Sequence, residues 1–380
     1  MENPFDTEER RAFRETVRRF VADEITPYAD AWDEAGEIPW ELHQKVGALG
    51  VFGFGMDERW GGLGFSDCFM QAAWAEELAQ CGVGGVAAAL GGRSISQHPI
   101  QDLANDDIRD RVLPEIISGR KASSLAITEP AGGSDVGGMK TTARREGGQY
   151  VINGQKTFIT GGMKSDYFVV GARTAEGKLD GISLFFVEAD APGFSRTAID
   201  RKMGWWCSDQ ATLYFEDCRI PADNLLGKEG QGFLAIVNNF NGERIGLIAS
   251  MLGAMKLCLK ESISWAMERE TFGKPLIRHQ VIRHKIADMS AKIDMVEAYL
   301  NQICWLVNEG RTPVAEISKA KFSASKALEF CASETMQILG GAGYLRGHPV
   351  ERVYREVKVQ AIGGGSEEIM RDLAVRQMGL

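Results

Sequence analysis

The sequence predicts an α+β protein in which helices, a β insert and a second set of helices follow one another along 380 residues. Three observations predict it. Apolar residues recur at spacings of three and four from Asp6 to about Gly119, alternate in short runs from Ser123 to about Ile220, and return to helical spacing after "PADNLLGKEGQGF". These changes of period divide the chain into residues 1–122, 123–230 and 231–380. With 44% hydrophobic and 25% charged residues, a chain of this length can bury two or three cores.

The first part is helical because Phe13, Val17, Phe20 and Val21 share one face, with Pro and Gly between such segments. Its basic run "ERRAFRETVRRF" has acids interleaved and reads as a solvated helix face. The insert opens with "TTARREGGQYVINGQKTFITGG", short alternating strands joined by glycine turns. "YFVVGARTA", "GISLFFVEA" and "TAIDRKMGWWCSDQATLYFEDCRI" continue the pattern. Beyond it Ile245, Leu247, Ile248, Met251, Leu252 and Met255 line one face of a long helix that runs toward Arg269, and further helices reach the C-terminus.

The charge balance excludes several functions. A net charge of −9 and a pI near 5.3 do not suit phosphate-backbone binding, which needs clustered Lys and Arg. No stretch approaches the ~20 apolar residues of a membrane span, and "MENPFDTEERR" has no signal-peptide core. Seven cysteines without a CxxC pair fit reduced thiols in the cytoplasm. His43, His98, His279, His284 and His348 form no metal-ligand spacing, and no G-x-S-x-G marks a serine nucleophile. "GGAGYLRG" is one residue too long for a dinucleotide fingerprint and follows a helical segment, which argues against a nicotinamide site. "TEPAGGSDVGG" offers Thr, Ser and several backbone N–H groups in a loop at the mouth of the β insert, suited to the polar edge of a flat cofactor.

These stretches together resemble the acyl-CoA dehydrogenases. "AITEPAGGSDVGGMKTTA", "NGQKTFIT", "RETFGKPLIRHQ", "QILGGAGY" and "YREVKV" with the glycines after it match that family's signatures in order, over almost the whole chain. The resemblance implies a helical domain, a β-barrel-like domain and a C-terminal four-helix bundle. It also implies FAD as cofactor, an acyl-CoA substrate, an electron-transferring flavoprotein as acceptor and a homo-oligomer, typically a tetramer. Ile127, Thr128 and Ser134 would line the flavin, with Ser134 also at the start of the CoA arm. Phe158, Ile159 and Thr160 would lie against the isoalloxazine, Phe158 standing where the family usually has Trp. Arg269, Thr271, Phe272, Gln280, Gln337, Gly340 and Gly341 match positions that hold the pyrophosphate and adenine end of a neighbour's FAD. Ser366 and Glu368 fall in the last cofactor-contacting signature, and Asn241, Arg244 and Gly365 in substrate-contacting positions.

One departure carries the mechanism. Where many members read Tyr-Glu-Gly-Thr, with the Glu as base, this chain reads Gly363, Gly364, Gly365 and Ser366. A second group of the family, including isovaleryl and long-chain types, carries its base on the long helix instead. "NFNGERIGL" resembles that arrangement and places Glu243 at the base position. Considered alone, Glu243 is an acid favoured near a helix N-terminus; the missing base gives it a catalytic reading. A backbone N–H binds a carbonyl oxygen whatever side chain follows, so Gly364 can keep the enolate-stabilising half of the work while Glu243 takes the proton. The absent Tyr and Glu leave room for a bulky acyl chain. Arg244, one position further round the helix, is expected to serve the CoA arm. Small residues in "GGVAAALGGRSI" fit either a roomy acyl tunnel or a close helix contact. Two other readings keep the fold: an enoyl-CoA reductase or β-eliminating enzyme, and a non-catalytic flavin-binding protein.

Overall fold

The structure, a computed structural model, describes residues 4–91 and 94–380. Seven helices come first: α1 (Glu8–Glu24), α2 (Ala29–Ala35), α3 (Trp40–Ala48), α4 (Cys68–Ala79), α5 (Gly84–Gly91), α6 (Ser94–Leu103) and α7 (Asp106–Ile117). Local chemistry fixes their starts. Thr7, Asp67 and Asn105 accept hydrogen bonds from first-turn N–H groups of α1, α4 and α7.

The insert forms β1 (Ser123–Ala126), β2 (Thr142–Glu146), β3 (Gln149–Thr160), β4 (Tyr167–Arg173), β5 (Ile182–Glu188), β6 (Phe194–Ala198), β7 (Gln210–Pro221) and β8 (Leu225–Leu226). They make one mixed sheet in the order β6-β7-β3-β2-β4-β5-β8, with β1 parallel to β4. Both faces are covered, which is why "YFVV" and "SLFFV" read as unbroken apolar runs. One face carries Phe168, Phe185, Leu213 and Phe215; the other packs Val169, Leu184 and Phe186 against Ile108, Val112 and Ile116 of α7.

The last part holds α8 (Gly232–Glu268), a two-stranded ribbon of β9 (Glu270–Thr271) and β10 (Lys274–Pro275), then α9 (Gln280–Asn308), α10 (Val314–Leu339), α11 (Pro349–Ile362) and α12 (Glu367–Gln377). At 37 residues α8 is about 55 Å long. Helix α4 enters this bundle: Cys68 and Ala72 belong to the same core as Met251, Leu252, Ala324 and Leu328. Close approach needs Gly253 there, since a Cβ at that position would lie 2.1 Å from the Glu76 carbonyl oxygen. Lys256 then bridges Glu76 (2.8 Å) and Glu297 (2.7 Å), tying the first helices to α8 and α9.

The small residues of α5 meet a protein wall. A Cβ on Gly84 would lie 2.5 Å from Trp205 Nε1, and one on Gly85 2.7 Å from Cys207 Sγ. Those two glycines therefore serve a close contact with the 201–208 loop; Gly92 and Arg93 of the same stretch lie outside the described residues. All seven cysteines are buried and free. Among the described residues no helix is long and apolar enough to cross a membrane, and no cluster of His, Cys, Asp and Glu could hold a metal.

Candidate active site

Two separated motifs meet at one end of the sheet. Thr157 N–H donates to the Thr128 carbonyl (2.9 Å), and Ser124 Oγ donates to the Thr160 carbonyl (2.7 Å), so Ile127–Thr128 and Phe158–Thr160 lie side by side. Between Lys156 and Ile159 the β3–β7 register slips, and Phe158 takes a φ of +56°. A left-handed aromatic residue is strained by about 1–3 kcal/mol, and here the strain holds its ring outward, 62% exposed. Ile127 and Ile159 are buried, Thr128 and Thr160 half-buried, and Ser134 is exposed in the following loop.

The loop is anchored from behind. Lys156, with no exposed surface, donates to Glu129 Oε1 (2.8 Å) and to the Ile127 carbonyl (3.1 Å). Glu129 also accepts from the N–H groups of Lys140 (2.7 Å) and Thr141 (2.9 Å). Burial pulls the Lys156 ammonium down to about 8 against the opposing pull of Glu129. Both residues lay inside the quoted motifs, "TEP" and "NGQK", without a role assigned from sequence. An outward aromatic, flanking hydroxyls and a braced loop suit one face and edge of a flat cofactor, so the residues present fit a flavin.

The second cluster surrounds the glycine turn between α11 and α12. Gly364 and Gly365 have φ of +66° and +106°, conformations that other residues rarely adopt and only with strain. Glu243, in the early turns of α8, faces them: a Cβ on Gly364 would sit 3.7 Å from Glu243 Oε1. Its carboxylate has no hydrogen bond or ion pair among the described residues. Burial raises its pKa to about 7, against the lowering pull of Arg244 and then Lys321. A carboxyl poised near neutrality and left without a partner can accept a proton.

Arg244, expected to serve the CoA arm, grips the glycine turn in this structure. Its guanidinium is buried, donating from Nε to the Gly364 carbonyl (3.0 Å) and from Nη1 to Asn241 Oδ1 (3.3 Å). Arg244 and Asn241 therefore act on the turn, and Glu243 and Arg244, consecutive on the helix, address two sides of Gly364. Lys321 on α10, fully buried, donates to the Gly365 carbonyl at 2.6 Å. Sequence reasoning passed over it, although it falls on the apolar stripe of Ile317, Ala320, Ala324 and Leu328, where a lysine is out of place. Ser366 caps α12 by accepting from Ile369 N–H (3.4 Å), and Glu368 is exposed beyond it.

The remaining predicted residues lie elsewhere. Arg269 follows Glu243 by 26 positions, about 39 Å along α8. Thr271, Phe272, Gly273 and Lys274 form the tight turn of β9 and β10, with Phe272 at φ +49° and 96% exposed. Gln280 opens α9, while Gln337, Gly340 and Gly341 end α10; all four are exposed.

Sequence models of the acyl-CoA dehydrogenase N-terminal, middle and C-terminal domains match residues 7–120, 124–218 and 230–379. A long-chain specific mitochondrial acyl-CoA dehydrogenase of Rattus norvegicus is 34% identical over 373 residues, 97% of this chain and 86% of that protein. An acyl-CoA dehydrogenase of Bacillus subtilis strain 168 is 36% identical, covering 96% of each chain. The crystal structure of a probable acyl-CoA dehydrogenase from Mycobacterium abscessus superposes with a TM-score of 0.95 at 39% identity, covering 98% of this chain and 99% of that one. With all three of its parts matched in order, the chain belongs to the acyl-CoA dehydrogenase family of flavoprotein oxidoreductases.

Proposed function

We propose that this enzyme removes an α-proton and a β-hydride from an acyl-CoA thioester to give the trans-2-enoyl-CoA, with Glu243 as the base. The observation that carries the reading is the unpartnered Glu243 carboxylate facing a left-handed Gly364 that has no side chain of its own. FAD bound against Phe158, Ile159 and Thr160, with Ile127, Thr128 and Ser134 at its edge, would accept the hydride at N5. The chain's own part is to hold the thioester carbonyl on the Gly364 N–H, which stabilises the developing enolate, and to receive the α-proton on Glu243. Gly365, Ser366 and Glu368 continue the turn beside that site. Gly246, one helical turn beyond Glu243 on the same face, would meet nothing within 4 Å if it carried a Cβ, so the wall beside the base is open enough for a bulky acyl chain.

The distance from Glu243 to Arg269 supports a shared cofactor. Arg269, Thr271, Phe272, Gln280, Gln337, Gly340 and Gly341 would serve the pyrophosphate and adenine of a neighbour's FAD in a homotetramer, which accounts for a strained aromatic held almost fully exposed at Phe272. Electrons would pass to an electron-transferring flavoprotein. Seven buried, unpaired cysteines support a reducing, cytoplasmic setting.

The test is anaerobic addition of an acyl-CoA panel to the purified protein. Bleaching of bound flavin by a saturated acyl-CoA supports the reading. Substrate turnover without bleaching points to elimination, reoxidation of a reduced flavin by enoyl-CoA alone to a reductase, and no response to a binding protein. A folded protein that takes up no FAD overturns all of these.

A further inference from the structure

We propose that Lys321 is the positioning residue that sets the glycine turn opposite Glu243 and aims its backbone N–H groups at the enolate oxygen. The inference rests on the acyl-CoA reading above and adds a residue to it. Three successive glycines have more rotational freedom than any other tripeptide, so an amide in such a run is a poor donor unless something else fixes it. Here three contacts do. Gly363 N–H is tied to the Val359 carbonyl (2.7 Å), the Gly364 carbonyl to Arg244 Nε (3.0 Å), and the Gly365 carbonyl to Lys321 Nζ (2.6 Å). A trans peptide points its C=O and N–H in opposite directions. Holding the carbonyls of Gly364 and Gly365 therefore turns the N–H groups of Gly365 and Ser366 away from the two cations. The Gly363–Gly364 peptide, which carries the Gly364 N–H, is flanked by the Gly363 N–H and Gly364 carbonyl anchors. The N–H groups of Gly364 and Ser366 have no acceptor among the described residues.

Lys321 is an expensive way to hold one carbonyl. A buried ammonium normally pairs with a carboxylate, yet Lys321 has no ion pair among the described residues. The charged groups that act on it are Glu243 and Arg244 on α8 and Glu367 and Glu368 on α12. Of these, Glu367 is engaged with Ser325 (2.9 Å) and Lys326 (3.2 Å). Burial draws the Lys321 pKa down to about 8, so the group keeps its proton at neutral pH only by a small margin. Structure alone would be served by an apolar residue on this stripe. A cation at this spot polarises the turn and favours negative charge forming beside it.

The test uses the FAD-loaded protein and two ligands. A 3-oxoacyl-CoA, acidic at C2, reports enolate stabilisation through its ultraviolet absorbance without turnover; an S-alkyl-CoA, which lacks the carbonyl, reports binding of the CoA arm. Lys321→Met is expected to lower both the enolate-to-keto ratio and the flavin reduction rate by about 10²-fold, the loss typical of a misplaced catalytic group. S-alkyl-CoA affinity and FAD content stay unchanged, and Lys321→Arg recovers part of the loss. An enolate ratio in Lys321→Met equal to that of the parent overturns the proposal. If Lys321→Met does not fold, Lys321→Gln, a neutral donor, decides in the same way. A parent enzyme that neither enolises the 3-oxoacyl-CoA nor is reduced by any acyl-CoA sinks the acyl-CoA reading itself, a result distinct from a normal parent with a normal Lys321 variant.

Discussion

Two buried lysines of this molecule, Lys156 of β3 behind Phe158 and Lys321 of α10 behind the glycine turn, share their burial and differ in their partners. Both have no exposed surface, both grip a backbone carbonyl, and burial draws both down to about 8. Lys156 also has Glu129 at 2.8 Å, and Glu129 in turn has two backbone donors. Among the described residues Lys321 has no such counter-ion, and the nearby acid, Glu243, is equally unpaired. At the sheet end the charges cancel and the result is a rigid wall. At the turn they are kept apart, and the result is a carboxylate that can take up a proton. The difference separates a neutralised support from a site with a titratable acid, the kind of environment in which reaction centres occur.

The largest expected break in this comparison is at Glu243. Glu243→Gln keeps the shape but cannot accept the proton, so single-turnover flavin reduction should fall by ~10²–10⁴-fold with FAD content normal. Reduction as fast as in the parent would make Glu243 a helix-face acid and return the base to be sought elsewhere. Lys156→Met should act on stability instead. It strands Glu129 among its backbone donors, at a cost of about 3–5 kcal/mol by denaturant unfolding, and the added change Glu129→Gln should recover part of it. A loss below 1 kcal/mol would show that the pair is not the brace described here.

Moving the base across the cleft sharpens the comparison. In the Glu243→Gln background, Gly364→Glu restores a carboxylate on the opposite wall, but its Cβ would lie 2.5 Å from Leu247 Cδ1. Rescue on straight-chain acyl-CoA should therefore require Leu247→Ala as well, and rescue without it would show that the turn moves freely. The smallest effects concern pH. Because the Glu243 pKa is raised to about 7, flavin reduction should climb as pH passes through that value and level off above it. For stability the sign is reversed. The folded state binds the proton more tightly than the unfolded chain, so Glu243 costs stability as pH rises from the ordinary carboxyl range through about 7. Glu356 is raised to about 7 by burial and adds the same slope. Glu243→Gln should thus have a higher Tm than the parent at pH 8 and a matching one near pH 4; no difference at pH 8 would mean the carboxylate is better solvated than its surroundings indicate.

Much of this was legible in the chain itself. The change of period from three-four to two and back marks the helices, sheet and helices, because burial of one face or two imposes that spacing on any sequence. The motifs carried Thr128, Phe158 and Glu243, since strained turns and missing side chains leave a mark in residue type. What the chain could not state was direction. The grip of Arg244 on the Gly364 carbonyl was not readable from its place beside Glu243, and Lys321, 78 positions from Glu243 in sequence, was passed over entirely.

By itself, then, the sequence determined the order of the elements, the family, and the presence of glycine at position 364 with an acid at position 243. These depend on local spacing and on which residues are present. Only the tertiary structure decided that α4 joins the second helical core, that Lys156 and Lys321 take different partners, and that Glu243 takes none among the described residues. Burial and pairing are set by residues far apart in the chain, and a charge has its proton affinity fixed by what surrounds it in space rather than by its neighbours in sequence.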